Sequence, residues 1–310
     1  MARRRKGLDI HGVLLLDKPA GWSSNQALQR VRFLLQARKA GHCGSLDPFA
    51  TGMLPICLGE ASKTAAFMLE ASKTYLAIAC LGQATTTGDT EGEVEREAEV
   101  PDLGPEQINH VFRQFTGPIR QLPPMYSALK HRGQALYKLA RRGIELARES
   151  REVTIHSIQL HRWTPPLLTF EVHCSKGTYI RTLAEDMCSA LDTCGHLRSL
   201  RRLTVEPFAT QHMITLEAFE LAVKAGGGQD LLLPIDAGLK EWPKVILEQG
   251  PVERFMHGNA VRVAGVETGL VRVFGPAGQI LGLAEANDRL VRPRRVFVFQ
   301  DGGKPPEKAK

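Results

Sequence analysis

The chain has 310 residues, enough to bury a sizeable core in one large or two unequal domains. Apolar residues make up 43% and charged residues 24%, the balance of a soluble globular protein, and the longest apolar runs are far too short to cross a bilayer. The net charge of +7 favours a polyanionic partner, and the clustering of the basic groups sharpens that expectation.

Basic residues bunch at Arg3 to Lys6, Arg38-Lys39, Lys130 to Arg132, Lys138 to Arg142, Arg198 to Arg202 and Arg292 to Arg295. One such cluster is usually a solvated face. Six, several of them beside aromatics or glycines, point to nucleic acid. The six cysteines (Cys43, Cys57, Cys80, Cys174, Cys188, Cys194) show no CxxC and no zinc-like spacing with histidine. They suit a reducing cytoplasm and predict no metal site. No apolar stretch of signal length follows the basic start, so no export is expected.

In chain order, a polar, mobile start precedes a buried strand from Gly12 to Leu16, broken at Asp17 to Gly21. Ser23, Ser24 and Asn25 are N-cap candidates for a helix through Leu35, with Ala27, Leu28, Val31, Leu34 and Leu35 at helical spacing. A second helix is predicted near Ala61 to Leu69, a strand from Lys73 to Gly82, a polar loop from Thr85 to Glu93, and a short helix from Pro105 to Phe115. The prolines in Gln121 to Lys130 forbid regular structure, and Gly133 to Arg142 is a short basic helix candidate. Val153 to Trp163 and Leu168 to Cys174 read as strands. A helix begins around Arg181 and ends near Leu191, Gly195 to Leu203 is basic and apolar together, and an amphipathic helix spans Leu216 to Val223. Gly226-Gly227-Gly228 is a flexible-linker signal. Beyond Trp242 the short runs Val245 to Leu247, Val261 to Val263, Leu270 to Phe274, Ile280 to Leu283 and Val296 to Phe299 predict a small all-β module, and Asp301 to Lys310 a disordered tail.

The stretch with the most chemistry is Gly41-His42-Cys43-Gly44-Ser45-Leu46-Asp47-Pro48-Phe49-Ala50-Thr51-Gly52-Met53-Leu54-Pro55. Its glycines can take positive φ, and Pro48 disfavours the helical conformation at Asp47, so a turn should present the carboxylate. Leu46 and Phe49 flank that carboxylate, and an ionised group in an apolar wall needs a cation or hydrogen bonds. A structural Asp-Pro turn would explain the aspartate but not the nearby histidine and threonine. Neither GxxxxGK[ST] nor GxGxxG occurs in the loop, so it is not a phosphate cradle.

This loop resembles the signature of the TruB family of tRNA pseudouridine synthases, glycine-histidine-x-glycine-x-leucine-aspartate-proline-x-alanine-x-glycine. Pro124-Met125-Tyr126-Ser127-Ala128-Leu129-Lys130 and the following Gly133, Leu136 and Tyr137 also match that family. Lys18-Pro19 resembles its opening motif but reads as a strand-to-helix turn and is assigned no catalysis. The resemblance implies an α+β fold, a mixed, mostly antiparallel sheet flanked by helices, with a small C-terminal all-β module similar to the PUA type. It implies a catalytic domain over 1–240 with an RNA-gripping insertion near 120–150, a β-rich RNA-binding module over 241–300, and a tail over 301–310.

The same resemblance makes Asp47 the catalytic nucleophile or base and gives Arg181 the role of pairing with it in bidentate fashion, keeping it ionised. Tyr75 would stack on the target base and handle its C5 proton, Tyr179 and Leu200 would line the uridine pocket, and His42 would help hold the T-loop after base flipping. The implied reaction converts uridine 55 of the tRNA T-loop to pseudouridine, in a cytoplasmic monomer that needs no cofactor, metal, membrane or protein partner. Two rival readings are a retaining glycosidase, which needs a second acid about 5–5.5 Å away with Glu60 the only nearby candidate in sequence, and a non-catalytic RNA-binding protein, which would keep the basic clusters but has no use for an Asp-Arg pair.

Overall fold

The computed structural model describes residues 7–127, 129–131, 133–208 and 213–299. The basic start Arg3 to Lys6 and the expected tail 301–310 lie outside the described residues. The first half of the chain forms β1 (Gly12–Lys18), α1 (Ser24–Leu34), β2 (Ala40–His42), β3 (Thr51–Leu58), α2 (Ala65–Leu69), β4 (Lys73–Leu81), β5 (Gln83–Thr85), β6 (Val94–Glu97), α3 (Pro105–Gln114) and β7 (Gly117–Gln121). Next come β8 (Lys130–His131), β9 (Gln134–Ala135), α4 (Leu136–Ala140), β10 (Arg151–Thr164), β11 (Leu167–Cys174), α5 (Ile180–Ala190), β12 (Gly195–Val205), β13 (Ile214–Thr215) and α6 (Leu216–Lys224). The chain closes with β14 (Lys244–Ile246), α7 (Gln249–Met256), β15 (Val261–Arg262), β16 (Gly269–Phe274), β17 (Ile280–Asn287) and β18 (Leu290–Val296).

One mixed sheet runs β13-β1-β3-β12-β4-β11-β10-β7, with β2 paired to β3. Only the β1–β13 and β3–β12 pairings are parallel. The continuous apolar run of β1 is explained by cover on both faces. Leu14 and Leu16 pack with Leu54 and Ile56 against α1 and α6, while Val13 and Leu15 pack with Met53 and Cys57 against Met68, Phe208 and Ile235. β4 alternates instead: Tyr75, Ala77 and Ala79 are buried with Ile180, Leu183 and Met187 of α5, and its other face is half-buried. α1 starts at Ser23, whose hydroxyl accepts from the Gln26 amide while the Gln26 side chain accepts from the Ser23 N–H at 2.8 Å.

Two strands next to the site carry no strand signal in sequence. Thr51–Leu58 contains Gly52 and Pro55, yet β3 lies between β1 and β12. Pro55 is opposite Leu15, and its carbonyl turns away from β1 to accept from the Cys43 N–H at 3.0 Å. Its nitrogen faces the same way, in the gap between the part of β3 paired to β12 and the part paired to β2, where no ladder donor is needed. Gly195–Val205 is likewise a strand, β12, whose bulges between Leu197 and Ser199 and between Arg202 and Thr204 break the alternation that would have marked it.

Other expectations change in detail. The helix expected over Ala61 to Leu69 is a 3-10 turn, Gly59–Lys63, followed by the five-residue α2. The basic helix after Gly133 shortens to α4, behind the β8–β9 hairpin. Gly226-Gly227-Gly228 is a helix cap rather than a flexible linker: Gly226 takes φ +87°, Gly227 N–H donates to the Ala222 carbonyl, and Gly228 is buried against Val223 and Leu35. The chain then returns to β1, where Val13 and Leu233 exchange two backbone hydrogen bonds. The run Val296 to Phe299 leaves strand geometry after Val296.

The second sheet, β14-β16-β17-β18-β15, encloses its own core of Val245, Phe255, Val271, Val273 and Ala284. It also shares a core with the large sheet, because Phe274, Ile280, Leu283 and Phe297 pack with Met68, Phe208 and Leu239. Burial of each such side chain is worth about 1.5–3 kcal/mol. Polar ties reinforce the contact: Arg272 Nη1 lies 2.8 Å from Asp236 Oδ2, and Lys63 Nζ donates to the Val296 carbonyl at 2.7 Å. Among the described residues, no helix is long and apolar enough to cross a membrane, and the six cysteines are free thiols.

Candidate active site

Asp47 sits on a turn that is fixed on both sides. The Ser24 hydroxyl, at the start of α1, accepts from the Leu46 N–H at 2.7 Å and donates to the Leu46 carbonyl at 3.0 Å. On the other side, the Pro48 carbonyl accepts from the Gly21 N–H at 2.9 Å and from Lys18 Nζ at 3.2 Å. The Asp-Pro geometry expected from sequence is therefore held by the strand-to-helix turn that carries Lys18 and Ser24.

The partner of Asp47 is Arg181, in the first turn of α5. Its Nε is 3.0 Å from Asp47 Oδ2. The pair is not bidentate, because the rest of the guanidinium is committed elsewhere. Nη1 donates to the Thr87 carbonyl at 2.7 Å and lies 3.5 Å from Asp89 Oδ2, and Nη2 donates to the Tyr126 carbonyl at 2.6 Å. One side chain thus ties together the Asp47 turn, the loop between β5 and β6, and the segment that follows β7. The Arg181 side chain is 4% exposed, whereas that of Asp47 keeps 36%, so the carboxylate is open to an incoming ligand and its cation is not.

The electrostatic balance differs from the sequence expectation of a depressed carboxyl pKa. Burial raises the Asp47 pKa, and the proximity of Arg181 works against that rise without overcoming it, while Asp89 adds to it. Asp89 itself is buried, accepting from the Thr87 hydroxyl at 2.6 Å and from the Glu91 N–H at 3.0 Å. Lys18 is also fully buried, with Nζ donating to the carbonyls of Pro19 at 2.8 Å and Trp22 at 2.6 Å besides that of Pro48. Burial pushes its pKa down to about 8, with Asp47 pulling the other way.

Around this pair the chain places apolar and aromatic walls. Tyr75 and Leu200, from neighbouring strands, are 8% and 6% exposed and share one cluster with Leu46, Ala50 and Ile180. Burial raises the Tyr75 pKa. Tyr179 is the N-cap residue of α5, half-buried, and both of its backbone polar groups are held by the Gln121 side-chain amide, at 3.0 and 3.2 Å. His42 is not on the turn but on β2, opposite Ile56, with Nδ1 buried and unpartnered among the described residues. Burial lowers its pKa, so the ring is neutral near pH 7.

Sequence reading missed three residues of this assembly. Asp89 lay in a polar loop whose glycines and acidic residues gave no sign of a buried ion pair. Lys18 was set aside as part of a turn, which it is, but that turn holds Pro48. Arg202 was counted in a basic cluster, yet it is 1% exposed and cannot meet a phosphate. Its neighbour Arg201 pairs with Asp17 through both terminal nitrogens, at 2.6 and 3.0 Å. The second acid that a retaining glycosidase would require is not Glu60, which binds Lys63 and the Val298 N–H. Asp89, the carboxylate on the far side of Arg181, is buried and saturated. Among the described residues no group of three histidine, cysteine or acidic side chains is placed to hold a metal.

Comparison with known proteins places this geometry in context. The family profile "TruB family pseudouridylate synthase (N terminal domain)" matches residues 32–180, "tRNA pseudouridylate synthase B C-terminal domain" matches 181–240, and "Pseudouridine synthase II TruB, C-terminal" matches 243–297. The chain is 49% identical to the tRNA pseudouridine synthase B of Nitrosococcus oceani, over 97% of this chain and 99% of that one. It is 48% identical to the protein of the same name from Xanthomonas axonopodis pv. citri, over 93% and 94%. Its fold is similar to a chain in the crystal structure of a Cbf5-Nop10-Gar1 complex, with a TM-score of 0.72 and 26% identity, covering 94% of this chain and 86% of that one.

Proposed function

Since the chain belongs to the TruB family of pseudouridine synthases, we propose that it isomerises uridine 55 in the T-loop of tRNA, with Asp47 as the catalytic nucleophile or base. The observation that carries this reading is the 3.0 Å pair between a partly open Asp47 and a closed Arg181, on a turn fixed at both ends. A merely RNA-binding protein has no use for a half-exposed carboxylate in a basic molecule.

In the proposed reaction the C1′–N1 bond of the uridine breaks, the uracil turns while held, and C5 joins C1′. The C5 proton leaves and N1 takes one up, so substrate and product are isomers and no electrons are exchanged. The base must first leave its stack, at a cost of a few kcal/mol, and the walls of Tyr75, Tyr179 and Leu200 recover part of it. Tyr75 is assigned stacking and the C5 proton. Arg181 stabilises the carboxylate form of Asp47 against the burial that disfavours it. His42 is assigned to the T-loop backbone. The segment over 120–150 grips the RNA and the module over 241–300 extends the contact, with the T-arm as the partner of a cytoplasmic monomer.

The test is to treat unmodified tRNA with the protein and map pseudouridine by carbodiimide-stop sequencing. A single new stop at position 55 is expected, and its absence with a well-folded preparation overturns the reading.

A further inference from the structure

We propose that Arg202 is a positioning residue for the reaction, its buried guanidinium fixing the Asp47 loop in register with Tyr75. The inference rests on the function proposed above and concerns a residue that reaches neither RNA nor solvent.

Its contacts join both stems of the loop. Nε donates to the Met53 carbonyl, on the outgoing stem, at 2.6 Å. Nη2 and Nη1 reach the carbonyls of Gly44 and Ser45, on the incoming stem, at 3.3 and 3.4 Å. The backbone of the same residue lies against the loop as well. Gly52 has φ +102°, and a Cβ there would fall 2.2 Å from the Arg202 carbonyl oxygen. Gly44 has φ +90°, and its Cβ would sit 3.6 Å from Arg202 Nη1. The close approach of the Arg202 backbone thus leaves no room for a side chain at Gly52, while at Gly44 it is the positive φ that favours glycine.

Across the sheet, Arg202 is paired directly with Tyr75 in the β12–β4 ladder, so both side chains project to the same face. The bulge that follows, between Arg202 and Thr204, ends that register immediately beyond the pair. A single residue therefore bonds to the loop that carries Asp47 and neighbours the ring proposed to meet the base.

No carboxylate pairs with Arg202 among the described residues; its guanidinium donates to three backbone carbonyls and is also hydrogen-bonded to the Tyr75 side chain. Removing a hydrogen-bonded ion from water is costly, and a scaffold needing only shape would be served by an apolar side chain. What an arginine adds is a planar fork that reaches three carbonyls in a fixed arrangement, which a lysine ammonium on a flexible stem cannot reproduce. The charge also acts on its surroundings, opposing the burial-driven rise of the Tyr75 pKa and adding to the depression of His42.

The test compares wild type with Arg202→Lys and Arg202→Gln on a T-arm hairpin tritiated at uridine C5. Three quantities are read: the melting temperature, the dissociation constant for the hairpin, and the single-turnover rate of tritium release. For Arg202→Lys the expectation is a folded protein binding within about twofold of wild type, with a rate reduced about 10²-fold, the scale of loss from an ångström of misplacement. Combining it with Tyr75→Phe should cost less than the product of the two single losses, since both disturb one arrangement. An unchanged rate in Arg202→Lys, or losses in both variants that only follow weakened binding or unfolding, overturns the positioning role. A wild type that releases no tritium from the hairpin instead overturns the proposed function itself.

Discussion

Arg181 holds Asp47 with one nitrogen and Asp89 with another, 3.0 and 3.5 Å away, so a single guanidinium separates an accessible carboxylate from a buried one. The two acids differ in burial rather than in chemistry. Asp47 keeps 36% of its side chain exposed, while Asp89 is closed in by the Thr87 hydroxyl and the Glu91 N–H.

Replacing Asp47 with Asn or Ala should abolish isomerisation and leave tRNA affinity nearly unchanged. Because the folded pKa of Asp47 is raised, the native state holds its proton more tightly than the unfolded chain, and this group's contribution to stability falls as pH rises past the unfolded value. Asp47→Asn should therefore melt no lower than wild type at about pH 8. Turnover by either variant, or a marked fall in melting temperature, contradicts this.

Asp89→Asn keeps the shape but removes the charge facing Arg181. We expect a folded protein with normal binding and a single-turnover rate lower by about 10–10²-fold, since the arginine loses its fixed counter-ion. A rate within twofold of wild type would show that Thr87 and Tyr126 suffice to orient Arg181.

Lys18→Met removes the donor to three carbonyls and should lower both melting temperature and rate. The pH dependence is specific: the Lys18 pKa is depressed to about 8 from 10.5 by burial, so the folded state binds fewer protons across that interval. Wild type should gain stability relative to Lys18→Met as pH rises through it. Melting temperatures at about pH 7.5 and 10 check the sign.

Tyr75 separates stacking from proton transfer. Tyr75→Phe should bind tRNA normally yet release tritium about 10²–10⁴-fold more slowly, the usual range for loss of a general base. Tyr75→Leu should also lose about 1–3 kcal/mol of stacking. Near-wild-type release by the Phe variant would leave Tyr75 as a packing platform.

Affinity for tRNA should fall with salt, by about 0.7–0.9 in log K per phosphate contact for each tenfold rise. Neutralising Arg198, which is exposed, should flatten that slope, and neutralising buried Arg202 should not. Equal effects on slope would put Arg202 within reach of the backbone.

The sequence alone determined the features governed by local chemistry. The Asp47 turn was legible because glycine and proline restrict the backbone directly. β1, β4 and β11, and helices α1, α3 and α6, were legible because continuous or periodic burial leaves its mark in residue order. The residues expected around the carboxylate, Tyr75, Tyr179, Arg181 and Leu200, were read through family resemblance rather than spacing, since they come from three elements, β4, α5 and β12, far apart in the chain.

Tertiary structure decided what depends on partners. β3 could be a strand despite Gly52 and Pro55 because Arg202 fills the space beside the glycine and the proline falls where no ladder donor is needed. Whether an arginine meets a phosphate or a backbone carbonyl is not written in its neighbours: Arg198 is exposed, Arg201 pairs with Asp17, and Arg202 is buried, within five consecutive residues. The net direction of the Asp47 pKa was beyond sequence for the same reason. A nearby arginine lowers it and burial raises it, and the outcome depends on how much water the fold removes and on how many other groups share the arginine.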